Sequence, residues 1–291
     1  MTALKPRLSA MMAPARSMFA ELMGEDDDEP VRIPDGLPEA VRAIALEAID
    51  ELTAYQGLSY AQLYLDRLKR FILRRTLDEA LYCDIARLMV MRMCYEDPIR
   101  MAQLNLDRCA ACAEVLPDDV RRLRLDEMVA SLPDMVADLV LEGLEWLGWQ
   151  HMPVTRRLRT ASRWGRRRLK IEASLRRWRL LSVRYAKERA WVERWLHMID
   201  RSLTRQPEAV SAIIQTATMV QGYGHAYRQG LADWHLIIDQ LAKPVFDGKL
   251  KLPDLSAAIT EARAAAMPDP RQVALKRAIA QIRAGAGGNA G

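Results

Sequence analysis

The residues best suited to hold a metal ion or an iron–sulfur cluster are two cysteines three positions apart, Cys109 and Cys112. A closed zinc or cluster site needs about four soft ligands, and Cys83 and Cys94 are the chain's other cysteines. However, the segment around Cys109 has a helical pattern, and free cysteine is a common small core residue. We therefore predict buried thiols and no bound metal, with a site at Cys109 and Cys112 as the weaker alternative.

Other patterns that could perform chemistry also have simpler structural explanations. The four histidines are scattered, without the spacing that puts two ligands on one helical face. Glu96 and Asp97 could act as acid and base, but negative charge at the start of a helix near Pro98 explains them more simply. The glycines at 222 and 224 are not followed by Lys-Ser/Thr, as a phosphate-binding loop would require. They indicate a helix end and a tight turn instead. The sequence nominates no catalytic residue.

The strongest electrostatic feature is a basic segment from Arg156 to Arg189. It contains fourteen lysines and arginines and two acidic residues, a net charge of +12 in a chain whose total is +5. Arginines interleaved with Trp164, Trp178 and Tyr185 are typical of protein interfaces, but also of surfaces that bind single-stranded nucleic acid. A membrane-surface helix and a solvated face remain open as well. We favour protein docking, through Arg166, Arg167, Arg168, Lys170, Arg176, Arg177, Trp178 and Arg179.

The elements that position these residues are predicted to be helices. Helix-forming Ala, Leu, Arg, Glu and Met dominate the composition, β-branched residues are sparse, and apolar residues recur at helical spacing. Gly57 is expected to end one helix and Ser59 to cap the next. We predict an all-α fold of roughly ten helices, packed as one large or two closely apposed bundles. The later helices are expected at 133–148, 158–180, 182–205, 207–221, 230–242, 254–266 and 270–283.

Composition suggests four regions along the chain. Residues 1–35, with an acidic run and two prolines, are expected to form a flexible tail or linker. An N-terminal helical part should follow over 36–150, and a C-terminal helical part with the basic segment over 151–283. Residues 284–291, rich in Gly and Ala, are expected to be a disordered tail. No apolar run is long enough to cross a bilayer, and four cysteines form no disulfide framework, so the sequence predicts a cytoplasmic protein.

Four segments together are similar to the helical C-terminal region of the indolepyruvate oxidoreductase beta-subunit family. The first stretch runs from Tyr55 to Leu68 and the second from Met93 to Arg100. The third runs from Ser174 to Leu196, and the last covers the glycines at 222 and 224 and continues to Gly230. Their order and approximate spacing match over about residues 37–245.

The resemblance implies membership of a 2-oxoacid:acceptor oxidoreductase complex. Such enzymes decarboxylate arylpyruvates with thiamine diphosphate and pass electrons through iron–sulfur clusters to ferredoxin. The chain lacks the family's glycine-rich α/β domain, its Gly-Asp-Gly thiamine motif and its ferredoxin-type cysteine run, so no catalytic residue carries over. We therefore expect a non-catalytic helical subunit or domain for assembly and docking, which binds no cofactor itself. Thiamine diphosphate and iron–sulfur clusters should reside in partner subunits. Ferredoxin is a further candidate partner, and nucleic-acid association through the Arg/Trp-rich segment is the alternative function.

Overall fold

The structure is a computed structural model that describes residues 30–74, 76–111, 119–125, 129, 140, 142–149, 152–158, 163–222, 224–266 and 271–288. Within these residues the fold is all-α, as predicted, with one short pair of strands. None of the helices in this part of the chain has the length and apolarity needed to span a bilayer.

The regular elements of the described residues are mostly α-helices. In order they are α1 (Glu39–Tyr55), α2 (Leu58–Lys69), α3 (Glu79–Met93), α4 (Pro98–Ala111), β1 (Asp119–Arg124), β2 (Pro153–Leu158), α5 (Arg163–Ser174), a 3₁₀ helix (Leu175–Leu181), α6 (Val183–Arg205), a 3₁₀ turn (Pro207–Ala209), α7 (Val210–Gln215), a 3₁₀ turn (Thr216–Met219), α8 (His225–Ile237), a π turn (Ile238–Ala242), α9 (Lys243–Phe246), α10 (Leu255–Ala265) and α11 (Val273–Gly288).

These elements form two compact units, each assembled from separated segments. Of the described residues, the first unit takes 30–35, 45–69 and 96–188, and the second takes 36–44, 70–95 and 189–288. The units therefore alternate along the chain, whereas the sequence suggested a single division at residue 150. Helices that are distant in sequence pair within each unit, and such long-range pairing leaves no boundary signal in local composition.

Among its described residues, the first unit contains a pair of strands that the sequence did not predict. β1 and β2 pair antiparallel, with Arg121 opposite Arg156 and Arg124 opposite Pro153. Proline suits the first residue of a strand, where the missing N–H costs little. The pair escaped prediction because each strand gains its hydrogen bonds from a partner about thirty residues away rather than from a local pattern.

Capping residues fix where several helices begin. Asp97 precedes Pro98, and its Oδ1 accepts a hydrogen bond from the backbone N of Arg100 at 2.6 Å, so it caps α4 as a negative charge at that position should. In the second unit, Asp78 caps α3 in the same way. The predicted cap at Ser59 is wrong, because α2 already begins at Leu58 and includes Ser59.

Tryptophans fill the core of the second unit. The rings of Trp191 and Trp195 stack with centroids 6.2 Å apart, and Trp234 lies 5.0 Å from Trp191. The Trp234 indole N–H donates to the Thr216 hydroxyl at 3.0 Å, so its polar atom is satisfied inside the core. The apolar residues that recur at helical spacing along α6 are all buried, namely Trp191, Val192, Trp195, Leu196, Ile199 and Leu203.

Helix boundaries near the C-terminus differ from those predicted. The expected helix over 207–221 is divided into α7 and two 3₁₀ turns, and α8 begins at His225 rather than near residue 230. Gly230 permits this arrangement, because a Cβ there would lie 1.9 Å from the Met219 carbonyl oxygen. The predicted disorder of residues 284–291 is wrong for residues 284–288, because α11 continues to Gly288, and residues 289–291 lie outside the described part of the chain.

Candidate docking surface

Helix α5 carries much of the basic segment and is anchored by one face only. Leu169 is fully buried, and it packs together with Ala173 against Ala102 and Leu106 of α4. Each pair is four residues apart and therefore lies one turn apart on the same face of its helix. Small side chains on both sides let α4 and α5 approach closely, so the orientation of α5 is fixed within the first unit.

The opposite face of α5 presents large apolar side chains to solvent. Trp164 is 79% exposed and Ile171 is 58% exposed, two helical turns further on. Leu175, one more turn along at the start of the 3₁₀ helix, is 39% exposed. We call these three residues the α5 stripe. A row of large exposed apolar residues on one helix face is the usual mark of an interaction site.

Basic side chains border the α5 stripe. Arg167 and Arg168 are exposed on its two flanks, and Arg166 and Lys170 are exposed further round the helix. The Arg168 side chain donates to Glu172 at 2.9 Å across one helical turn, and the arginine is mostly exposed whereas the Glu172 side chain is mostly buried. The predicted docking residues Arg166, Arg167, Arg168 and Lys170 are therefore accessible, and two of them, Arg167 and Arg168, lie beside the apolar row.

The second half of the predicted docking segment behaves differently. Arg176 is half-buried, and the side chains of Arg177 and Trp178 lie outside the described residues. Arg179 is 1% exposed, so its assignment to an exposed docking face is wrong. The 3₁₀ helix directs the Arg179 side chain into the interior of the first unit, where it pairs with the carboxylate of Asp97.

Three residues satisfy the buried Arg179 guanidinium, and we call them, together with Arg179, the Arg179 cluster. Its Nε and Nη2 donate to the two oxygens of Asp97 at 2.5 and 3.1 Å. Its Nη1 donates to the Tyr55 carbonyl at 2.7 Å and to Gln56 Oε1 at 3.0 Å. The guanidinium carbon also lies 3.8 Å from the centre of the Tyr55 ring. Paired hydrogen bonds and a cation–π contact offset the cost of burying the charge.

The Arg179 cluster brings together residues from three separated segments of the chain. Tyr55 and Gln56 come from the first segment, Asp97 from the second and Arg179 from the third. Asp97 was considered above as a possible acid or base. In the structure its oxygens accept hydrogen bonds from the Arg179 side chain and from the backbone N–H that begins α4. These residues therefore hold the first unit together from its interior, out of reach of a substrate.

The cysteine pair is only partly within the described residues. Cys109 is half-buried near the end of α4, Cys112 lies outside the described part, and Cys83 is buried on α3. Burial raises the pKa of the Cys83 thiol above its ordinary value, so it is the less reactive protonated form that is favoured. Among described residues, no three His, Cys, Asp or Glu side chains come together in a way that could hold a metal ion. A site at Cys109 and Cys112 stays a hypothesis from the sequence.

The second unit holds one histidine in a defined polar setting. Arg194 donates to His235 Nδ1 at 2.9 Å and also pairs with Asp239. Because a guanidinium can only donate, Nδ1 must be the acceptor and the ring proton sits on Nε2. Burial and the Arg194 charge lower the pKa of His235, while Asp239 opposes them. The arrangement fits a neutral structural imidazole.

Sequence reasoning missed a second exposed aromatic group. Trp146 is 87% exposed and Trp149 is 51% exposed, at the end of a helical turn in the first unit. Gly148 has a positive φ of 68° there, and the Trp149 N–H donates to the Leu144 carbonyl at 2.8 Å. This is the usual glycine-terminated helix end. A Leu-Gly-Trp sequence after a helical run could have indicated it.

Comparison with known proteins gives one family. Residues 41–240 match the model of a family of unknown function, DUF6537, which covers α1 to the π turn and includes both the α5 stripe and the Arg179 cluster. No curated protein and no solved structure matches the chain. Since the matched range is more than half of its length, the chain belongs to the DUF6537 family.

Proposed function

We propose that the chain is a non-catalytic helical module of a thiamine-dependent 2-oxoacid oxidoreductase complex, which works in the cytoplasm and provides assembly and partner docking. The observation that carries the proposal is the α5 stripe, an apolar row led by Trp164 and bordered by Arg167 and Arg168. Tryptophan and arginine are the residue types that contribute most energy at protein interfaces. The partner is therefore an acidic protein surface, on a sister subunit or on ferredoxin.

The Arg179 cluster supports the link to the oxidoreductase family. Residues of three similar segments meet in one buried group, which is what a shared helical core requires. A shared active site would instead leave such residues open to a substrate. Thiamine diphosphate and the iron–sulfur clusters are accordingly assigned to partner subunits, and this chain contributes surface rather than chemistry.

The test is co-expression of the full chain with the thiamine-binding and α/β subunits of the 2-oxoacid oxidoreductase of the same genome. We expect a complex that survives size-exclusion chromatography and reduces an acceptor when an arylpyruvate is added, while the isolated chain does neither. Trp164→Ala should remove the chain from the complex, and Trp146→Ala is the matched control at another exposed indole. Absence of any complex with these subunits, or arylpyruvate turnover by the chain alone, would contradict the proposal.

Nucleic-acid association is a second candidate function, favoured by one specific observation. The segment from Arg156 to Arg189 is rich in arginine, and Trp164 on α5 is 79% exposed, so phosphates and a base could be contacted from the same helix. This alternative predicts a high ratio of absorbance at 260 to 280 nm after purification, and binding of a labelled oligonucleotide that weakens steeply with salt.

A further inference from the structure

The shape of the α5 stripe constrains the kind of partner that can cover it. Trp164, Ile171 and Leu175 form one straight row, because they follow one another after two turns and then one turn. The row is about 16 Å long at 1.5 Å per residue. Apolar residues that repeat after seven positions are the pattern by which one helix packs along another.

The residues on either side of the row specify the charge of that partner. Arg167 lies on one flank and Arg168 on the other, with Lys170 beyond Arg167. On the Arg168 flank, Glu172 already supplies a carboxylate to the arginine. The Arg167 flank therefore gives the larger attraction to a negative partner. In paired helices, residues that border the apolar row select the partner through opposite charge.

We propose that the α5 stripe binds an acidic amphipathic helix of a sister subunit, which lies along α5 with its leucine-rich face on Trp164 and Ile171 and its carboxylates beside Arg167. This inference rests on the docking function proposed above and specifies the partner's chemistry. The face of α5 that packs on α4 stays as it is, since Leu169 and Ala173 point the other way. Binding therefore needs no rearrangement of the first unit.

A helix explains the α5 stripe better than a single-stranded nucleic acid does. Sequence-tolerant binding of single strands uses aromatic rings on which successive bases stack. The α5 stripe offers one ring, Trp164, followed by the aliphatic residues Ile171 and Leu175. Aliphatic side chains give no stacking surface, but they are the residues that pack into the side of another helix.

The experiment uses the full chain and a synthetic probe of about 21 residues, long enough for three heptads. The probe has leucines at heptad spacing with glutamates on both flanks, and its control has the same composition in scrambled order. Fluorescence anisotropy measures the binding of both peptides and of a 20-nucleotide oligothymidine. We expect the ordered peptide to bind at least about tenfold more tightly than the scrambled peptide, because an apolar row must meet an apolar row.

Variants of the chain separate the apolar and the charged contributions. Trp164→Ala should weaken the ordered peptide by about tenfold or more, whereas Trp146→Ala should leave it unchanged. Arg167→Glu should weaken binding in low salt and much less in high salt, with Arg205→Glu, an exposed arginine of α6, as the control. Equal binding of the ordered and scrambled peptides, or tighter Trp164-dependent binding of the oligonucleotide, would overturn the inference.

The peptide and the subunits test different claims. If the ordered peptide does not bind but Trp164→Ala still releases the chain from the oxidoreductase subunits, the helical partner is wrong and the proposed function stands. If the ordered peptide binds in a Trp164-dependent way but no oxidoreductase subunit is captured, the acidic-helix inference stands and the proposed function is wrong.

Discussion

Arg167 and Arg179 lie twelve residues apart in the same basic segment, and the fold treats them in opposite ways. Arg167 is exposed on α5 beside an apolar row, while Arg179 is buried with two hydrogen bonds to Asp97 and two to the α1–α2 corner. In the sequence both have other arginines as close neighbours, so the local pattern does not distinguish them. They differ because the fold places the carboxylate of Asp97, eighty-two positions earlier in the sequence, beside Arg179.

A dense basic segment is therefore not one surface. A buried guanidinium needs its donors satisfied in fixed geometry, so Arg179 has a structural role that no lysine could fill. An exposed guanidinium is hydrated and contributes little to folding, so Arg167 remains available to a partner. Stability measurements and binding measurements should therefore report on different arginines of the same segment.

The largest expected effect comes from removing the buried charge partner. Arg179→Ala leaves Asp97 buried without its counter-ion and should lower the free energy of unfolding by about 3–5 kcal/mol. Arg167→Ala, the matched exposed substitution, should change it by less than about 0.5 kcal/mol. Urea unfolding followed by circular dichroism measures both. Equal and small losses would mean that the Arg179 cluster does not stabilise the first unit.

A smaller effect is expected in the coupling between the two buried charges. Asp97→Asn keeps an oxygen that can cap α4 but loses the ion pair, and Arg179→Met replaces the guanidinium with an apolar chain of similar length. The double variant should be more stable than the sum of the single losses predicts, by about 1–3 kcal/mol, because neither charge is then left alone. A double-mutant cycle gives this value, and strict additivity would show that Asp97 and Arg179 act independently.

The sequence predicts much of this fold but little of what each arginine does. Helical periodicity identifies the buried face of α6, and Asp97 before Pro98 indicates the cap of α4 correctly, because caps and apolar stripes are local. The ion pair between Asp97 and Arg179 and the pairing of β1 with β2 are not local, so composition and spacing cannot show them. The α5 stripe combines a local and a non-local feature. The spacing of Trp164 and Ile171 can be read from the sequence, but the face of α5 that packs on α4, which leaves them exposed, cannot.

Arg194, a half-exposed arginine of the second unit, should make stability depend on pH through its contact with His235. Its hydrogen bond to His235 Nδ1 requires a neutral imidazole, and the pKa of His235 is lowered by burial and by the Arg194 charge. The unfolded chain then binds a proton more readily than the folded chain, so stability should fall as the pH drops below the ordinary histidine pKa and level off below the folded value. This loss should be smaller than that from removing Arg179.

Unfolding in urea at several pH values between 5 and 8 measures that dependence. His235→Gln removes the titrating group, so the variant should lose less stability on acidification than the parent chain does. Arg194→Met should raise the pKa of His235, which two-dimensional NMR of the imidazole can follow directly. A His235 that titrates at or above the ordinary histidine value in the parent chain would contradict the described contact.

The smallest effect is expected for the ion pair between Arg168 and Glu172 on α5. The Arg168 side chain is 61% exposed and that of Glu172 is 18% exposed, and the charge interaction of a pair with this spacing on a helix contributes about 0.3–0.5 kcal/mol. Glu172→Gln should therefore lower stability by no more than that amount, and 1 M salt should remove the difference.

Because the internal pair is so weak, a partner's carboxylate can replace Glu172 at Arg168 with little loss. Glu172→Gln should accordingly strengthen binding of the acidic peptide in low salt, since it removes a competing negative charge. A large stability loss without any gain in binding would place Arg168 with Arg179 among the structural arginines.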